Sequence, residues 1–297
     1  MIIRIAKNSG FCFGVKRAIK IALEAAEENH EINTLGPIIH NPQMVEKLEE
    51  KGIKSIDDIK LVRGKPVIIR SHGVEKSILE KLRQNGTEII NATCPYVSKT
   101  QQYAAKLSKD GYQVIIMGNQ DHPEVIALKS YVEGEAIIVS DEKDLPDKKL
   151  SRVGIISQTT RNIKDLQNLV NVLLPRCSEM LVINTICNAT MIRQNSTLKL
   201  AKESDVMIVI GGKNSSNTKM LAKISENFVE TFHIETASEL NADWFRNKTK
   251  IGITAGASTP DWIIVEVYNK ILECKGNIAD KVTRIEDIPG FKEENNG

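Results

Sequence analysis

The chain has 297 residues and carries 40 Lys and Arg against 38 Asp and Glu, a formal net charge of +2. This balance lacks the basic excess that is typical of proteins that bind nucleic acid or acidic membranes. Hydrophobic residues make up 41% and charged residues 26%, which excludes an intrinsically disordered chain. The longest apolar runs, such as Val206–Ile210, are far shorter than the ~20 residues of a membrane-spanning helix. We expect a globular protein with neither a membrane nor nucleic acid as partner.

Short aliphatic runs alternate with amphipathic segments along the chain. The aliphatic runs predict strands at 2–5, 32–35, 67–69, 114–117, 153–156, 206–210 and 251–254. The segments between them predict helices at 15–28, 42–51, 75–84, 98–110, 163–174, 190–203 and 217–227. Because the strands lack polar alternation, they fit parallel strands covered on both faces. The alternation of strands with helices predicts an α/β fold.

The chain also contains an internal repeat. A cysteine in a strand-to-helix turn marks each copy: Cys12, Cys94 and Cys187. A glycine follows each cysteine by 24 residues, at the end of the next strand: Gly36, Gly118 and Gly211. The repeat predicts three α/β units, at 13–94, at 95–184, and at 1–12 with 185–276, followed by a closing segment and tail at 277–297. Arranged about a pseudo-threefold axis, they would bring the carboxyl ends of mainly parallel strands to a central cleft, where such sheets bind ligands.

The five cysteines indicate metal or redox chemistry. An odd number at low density, after an N-terminus without a secretory pattern, argues against a disulfide framework and for a reducing, cytoplasmic compartment. A cysteine at a helix N-terminus favours the thiolate that metals require. Three cysteines in register could bind zinc or an iron–sulfur cluster with one open position, and the alternative is three buried structural cysteines. Cys177 and Cys274 lie outside the register and are interpreted as core or surface residues.

Polar residues follow the other strand ends. They are His40, Asn41, His72, His122, Glu124, Gln158, Thr159, Thr160, Ser215, Ser216, Asn217, Ser258 and Thr259. Several precede helices, where exposed N–H groups bind anions, so the set favours a phosphate or diphosphate ligand. For the clusters at Ser215 and Ser258, ordinary helix capping is the alternative. Glu124 has two interpretations, as a general acid or as a carboxylate that the helix dipole stabilises.

Nine motifs in order resemble one family. They are GFCFGVKRA at 10–18, GPIIHNP at 36–42, RSHGV at 70–74, NATCP at 91–95, HPE at 122–124, SQTT at 157–160, TICNAT at 185–190, SSN at 215–217 and GASTPD at 256–261. Together they are similar to the LytB/IspH family of hydroxymethylbutenyl diphosphate reductases. The chain departs from the common pattern at Ser71, where the family more often has Ala, and in its longer acidic tail.

The resemblance implies a reaction and a site. The family reduces and dehydrates (E)-4-hydroxy-3-methylbut-2-enyl diphosphate to isopentenyl and dimethylallyl diphosphates, the last step of the methylerythritol phosphate route to isoprenoids. It implies that Cys12, Cys94 and Cys187 hold one [4Fe–4S] cluster with an open iron. It implies catalytic roles for Glu124, Thr159 and His122. The implied substrate-binding residues are His40, His72, His122, Thr159, Ser215, Ser216, Asn217 and Ser258. A ferredoxin or flavodoxin is the implied electron donor, and we expect a monomer.

Two other classes of function compete with this expectation. A zinc hydrolase or lyase acting on a phosphorylated substrate would contain zinc and work without a reductant. A non-catalytic module that binds an anion or nucleotide would need neither metal nor Glu124. The chain contains no GxGxxG or P-loop pattern, which weakens the nucleotide-binding interpretation.

Overall fold

The structure is a computed structural model that describes residues 1–29, 31–62, 64–274 and 281–282. The strands are β1 Ile2–Ile5, β2 Ile32–Leu35, β3 Ile53–Ile56, β4 Val67–Ile69, β5 Ile89–Asn91, β6 Gln113–Met117, β7 Ile137–Val139, β8 Leu150–Ser157, β9 Cys177–Val182, β10 Val206–Ile210, β11 Thr231–Ile234, β12 Lys250–Ala255 and β13 Lys281–Val282. The helices are α1 Phe13–Asn29, α2 Pro42–Glu50, α3 Lys76–Gln84, α4 Pro95–Lys109, α5 Pro123–Ser130, α6 Ile163–Leu173, α7 Asn188–Glu203, α8 Ser216–Glu226 and α9 Asp261–Cys274.

The strands form three sheets, and every strand pair in them is parallel. Their orders are β3-β2-β4-β5, β7-β6-β8-β9 and β11-β10-β12-β1-β13. The predicted α/β class with parallel sheets is therefore confirmed. Of the predicted closing segment and tail at 277–297, only the strand β13 lies within the described residues.

The chain forms two compact units. The larger comprises Phe13–Ile39 and Val45–Cys187 and contains both four-stranded sheets. The smaller comprises Met1–Cys12, His40–Met44 and Asn188–Gly297 and contains the five-stranded sheet. The finer division at 13–94, 95–184, and 1–12 with 185–276 stays a prediction.

Each sheet has its own apolar core. In the five-stranded sheet, the fully buried Ile208 and Ile253 pack with Phe245 and with Val267 of α9. In the sheet around β6, Ile116 and Ile156 pack with Leu107 of α4. The central strands are buried on both faces by these helices, which explains why their sequences are continuously aliphatic.

The predicted strands each have two neighbours in their sheets, whereas the strands that the aliphatic pattern missed lie at sheet edges: β3, β5, β7, β9 and β11. Edge strands are partly exposed, so their sequences mix polar and apolar residues; in β9 no residue is buried. Two helices, α5 and α9, were indicated only by their first residues and were not among the segments predicted from periodicity. The helix α5 is short and mostly apolar, with no contrasting polar face, and α9 is rich in aliphatic residues.

One central strand of each sheet ends with the same backbone hydrogen bond. In each sheet, the glycine just after the strand donates its N–H to the last carbonyl of the edge strand beside it. The three bonds are Gly36 to Ile56 at 2.8 Å, Gly118 to Val139 at 2.8 Å and Gly211 to Ile234 at 2.9 Å. The glycine repeat read from the sequence therefore marks equivalent positions of the three sheets.

Gly211→Ala is expected to destabilise the smaller unit. Gly211 has a φ of +140°, and an added Cβ would lie 2.5 Å from Thr259 Oγ1 and 2.8 Å from Thr218 Oγ1. Gly86 also has a positive φ, of +67°, but a Cβ there meets nothing within 4 Å. Gly86→Ala should therefore cost only the backbone term of about 1 kcal/mol, and Gly211→Ala roughly 2–4 kcal/mol. Urea unfolding of both variants measures the difference, and equal losses would contradict the steric argument.

Candidate functional site

The three repeat cysteines occupy equivalent backbone positions. Each donates its N–H to the carbonyl of the second residue beyond the end of the adjacent strand. The bonds are Cys12 to Ala257 at 3.1 Å, Cys94 to Ser71 at 2.9 Å and Cys187 to Thr159 at 3.0 Å. These bonds pair the three cysteine turns with the loops that follow β12, β4 and β8, although the spacing between cysteine and loop varies along the sequence. All three cysteines are partly exposed.

Within the larger unit, the turns before Cys94 and Cys187 share one local structure. The side-chain oxygen of Asn91 accepts the N–H of Thr93 at 3.0 Å, and that of Asn184 accepts the N–H of Ile186 at 3.1 Å. An asparagine three residues before the cysteine thus forms the same turn twice, as short polar side chains favour. Cys94 is the N-cap residue of α4, with proline at the first position of that helix.

Glu124 and Thr159 form a buried pair in the larger unit. Glu124 is only 1% exposed, and Thr159 is 6% exposed. The N–H of Thr159 donates to Oε1 of Glu124 at 2.7 Å, and its hydroxyl lies 2.9 Å from Oε2. Burial raises the pKa of Glu124 to about 7, although both hydrogen bonds from Thr159 act to lower it. Near neutral pH this carboxyl group can hold and release a proton.

Two histidines lie close to this pair in the larger unit. His122 is the N-cap residue of α5, and its Nδ1 accepts the N–H of Glu124 at 3.1 Å. Because Nδ1 is an acceptor, the ring proton of neutral His122 is on Nε2. The His72 ring meets the His122 ring edge-to-face, with centroids 5.5 Å apart. Two imidazole groups, a carboxyl group and two cysteines therefore belong to the same unit.

The smaller unit contains the remaining predicted residues. Ser258 donates its hydroxyl to the carbonyl of His40 at 2.9 Å. Ser215 is the N-cap residue of α8, and its side chain accepts the N–H of Thr218 at 3.4 Å. Ser216, the first residue of α8, is half-buried. This capping confirms the structural role that the sequence offered for Ser215, and it leaves the neighbouring residues for other contacts.

Asn217 supports an anion-binding interpretation of the α8 N-terminus. The residue is 3% exposed, yet neither Oδ1 nor Nδ2 has a hydrogen-bond partner within the described parts of the chain. A buried amide without partners is costly unless a ligand or water satisfies it. The helix N-terminus beside it favours a negatively charged ligand.

Sequence reasoning missed Arg17, whose side chain supports the turn before Cys94. Arg17 of α1 donates from Nη1 to the carbonyl of Thr93 at 3.1 Å, next to Cys94. The signal was present in the sequence, because Arg17 belongs to the motif that follows Cys12. Its role depends on a contact between distant segments, which residue spacing does not reveal.

No helix in the described residues is both long and apolar enough to cross a membrane.

The fold and the site define an α/β protein with three parallel sheets and a cysteine turn beside each. The model of the LytB protein family matches residues 3–272. A 4-hydroxy-3-methylbut-2-enyl diphosphate reductase of Geobacter sulfurreducens is 49% identical over 92% of this chain and 98% of its own. One of Aquifex aeolicus is 47% identical over 93% and 98%.

Solved structures agree with these relatives. One of (E)-4-hydroxy-3-methyl-but-2-enyl diphosphate reductase, the terminal enzyme of the non-mevalonate pathway, is 46% identical, with a TM-score of 0.67 over 92% of this chain and 99% of that one. A reductase of Plasmodium falciparum is 30% identical, with a TM-score of 0.85 over 91% and 88%. The chain belongs to the LytB family, whose members are iron–sulfur enzymes.

Glu124 is expected to make stability depend on pH. Its folded pKa of about 7 lies above the ordinary value of 4.5, so the folded state retains a proton that the unfolded state loses. Stability from this group is complete below pH 4.5 and is lost as the pH rises to about 7, by an amount on the order of 3 kcal/mol. Urea unfolding at pH 5 and pH 8 should show a smaller loss in Glu124→Gln than in the wild type. The exposed Glu49→Gln variant is the control and should match the wild type, whereas the same loss in Glu124→Gln would contradict the assigned pKa.

Proposed function

We propose that this protein catalyses the reductive dehydration of (E)-4-hydroxy-3-methylbut-2-enyl diphosphate to isopentenyl and dimethylallyl diphosphates. The observation that carries the proposal is the buried Glu124, whose pKa of about 7 suits a general acid. The same unit contains two of the three repeat cysteines, Cys94 and Cys187. Relatives that match the chain over nearly their whole length are named for this reaction.

We propose Cys12, Cys94 and Cys187 as the ligands of a [4Fe–4S] cluster. The donor set fits: three thiols at equivalent backbone positions, partly exposed, in turns between strands and helices. Cys177 and Cys274 lack that position, since Cys177 begins the edge strand β9 and Cys274 ends α9. When bound, such a cluster supplies electrons and one iron that is open to the substrate hydroxyl.

Glu124 supplies the proton that makes hydroxide leave as water. Hydroxide is a poor leaving group, so the reaction needs an acid that is still protonated near neutral pH, and burial keeps Glu124 in that form. A proton on Oε2 faces the Thr159 hydroxyl, 2.9 Å away. The hydroxyl can accept this proton while directing its own hydrogen to the substrate. Thr159 thus extends the reach of a carboxyl group that is itself 1% exposed.

The diphosphate is proposed to bind to imidazole, hydroxyl and amide donors. These are His40, His72, His122, Ser215, Ser216, Asn217 and Ser258. Because Nδ1 of His122 caps α5, the proton of the neutral ring is on Nε2, from which it can be donated to a phosphate oxygen. Asn217 has a buried amide whose hydrogen-bonding capacity a phosphate oxygen would satisfy. Binding energy from this remote group can hold the alcohol in place without weakening the bond that breaks.

The reaction requires two electrons and two protons and releases one water. Side chains such as Glu124 can supply protons but cannot supply electrons. We therefore propose that a ferredoxin- or flavodoxin-type carrier delivers the two electrons. We further propose that the protein acts as a monomer in the cytoplasm. A reducing compartment would protect the thiolates of the three cysteines, which supports this location.

Glu124→Gln should lose turnover while retaining its cluster. Glutamine can still accept the Thr159 N–H but has no acidic proton to deliver, so kcat should fall by about 10²–10⁴-fold. The measurement is anaerobic turnover of the allylic diphosphate with a chemical reductant, alongside iron content. Glu49→Gln is the matched control on the exposed α2 surface. Turnover equal to the wild type would remove Glu124 from the mechanism.

Cys94→Ser should lose the cluster itself. Anaerobically purified wild-type protein is expected to contain about four iron and four sulfide per chain, and this variant far less. Cys177→Ser changes a partly exposed cysteine outside the repeat and should keep the wild-type content. Zinc in place of iron, or equal iron losses in both variants, would contradict the assigned ligand set.

A further inference from the structure

Ser71 joins three parts of the larger unit. Its N–H donates to the carbonyl of Ile38 at 3.2 Å, and its own carbonyl accepts the N–H of Cys94 at 2.9 Å. The side chain is buried, with the residue 6% exposed. Both backbone bonds hold Ser71 in place whatever its side chain, so the hydroxyl has a position that the fold fixes.

The direction of the Ser71 hydroxyl follows from its partners. Oγ lies 2.8 Å from the carbonyl oxygen of Ile38, which can only accept, so the hydroxyl hydrogen points to Ile38. Oγ also lies 3.4 Å from Nδ1 of His72. Towards that nitrogen the hydroxyl presents only lone pairs, and the contact is attractive only when Nδ1 carries a hydrogen.

His122 has the opposite arrangement. Its Nδ1 accepts the backbone N–H of Glu124 at 3.1 Å, which places its hydrogen on Nε2. The two rings are 5.5 Å apart between centroids, so two cationic rings would repel each other. His122 can remain neutral and still donate from Nε2. His72, with its hydrogen on Nδ1, must gain a second proton on Nε2 before it can donate there.

We propose that Ser71 is a positioning residue that fixes the hydrogen of His72 on Nδ1 and so commits His72 to bind the substrate's diphosphate as a cation. His72 then supplies a positive charge, and His122 supplies a neutral donor. The ligand in this assignment rests on the proposed function, whereas the position of the hydrogen does not. The proposal concerns binding, so it predicts a change in affinity and little change in the chemical step.

Ser71→Ala tests the proposal because it removes only the hydroxyl and keeps both backbone hydrogen bonds. Ser225→Ala is the control, since it also removes a buried hydroxyl that donates to a carbonyl, at 3.0 Å, within α8. The first measurement is the ¹⁵N spectrum of histidine-labelled oxidised holoenzyme, with His72→Gln to assign the signal. Neutral His72 should carry its hydrogen on Nδ1 in the wild type and in Ser225→Ala. In Ser71→Ala the hydrogen should move substantially to Nε2, while the His122 signal stays unchanged. An identical His72 signal in Ser71→Ala would overturn the proposal.

The second measurement is binding of inorganic pyrophosphate to the same holoenzymes. The dissociation constant should rise about 3–10-fold in Ser71→Ala and stay unchanged in Ser225→Ala, with equal iron content in all. In turnover, KM should rise by a similar factor and kcat should stay within about twofold. Unchanged affinity and KM would overturn the role of Ser71 in binding. A wild-type protein without reductase activity would refute the proposed function instead, and the ¹⁵N spectrum would still decide where Ser71 places the hydrogen.

Discussion

The hydrogen bond from each repeat cysteine to the loop of the adjacent strand is the constraint on which the site depends. The number of residues from the end of the preceding strand to the cysteine varies: Cys94 lies three residues after β5, and Cys12 lies seven residues after β1. In each case the N–H still meets the second residue beyond the neighbouring strand. A parallel sheet makes this possible, because all its strands end at the same edge. In each turn, one backbone hydrogen bond thus holds the cysteine beside the loop of the neighbouring strand, although the segments that lead to the cysteine differ in length.

Burial and the contacts with Thr159 determine the charge and the orientation of the Glu124 carboxyl group. An ionised carboxylate would be expensive at 1% exposure, so the group stays protonated to higher pH. The Thr159 N–H and hydroxyl hold it in one orientation. The carbonyl of the same residue accepts the N–H of Cys187. Thr159 therefore links the acid to the cysteine turn, and a change at this position would disturb both.

Much of the fold was readable because burial constrains sequence. Each predicted strand lies within one of β1, β2, β4, β6, β8, β10 and β12, and each of these has a neighbouring strand on both sides. The edge strands were not predicted because their exposed sides accept both polar and apolar residues, as in β9. The candidate site was readable as residue types: cysteines at a fixed repeat position, and histidines and hydroxyls at strand ends. Ser71 and Arg17 were not recognised as contributors, since their contacts join segments distant in the chain.

The sequence by itself determined the α/β class, the equivalence of the three cysteine turns and the membership of the LytB family. All three depend on the types of residue and on their spacing. Only the tertiary structure decided the protonation of the site. It buries Glu124 against Thr159, caps α5 with Nδ1 of His122, and sets the hydroxyl of Ser71 beside His72. Protonation depends on desolvation and on which atom faces which, and these are properties of contacts between strands and loops far apart in the chain.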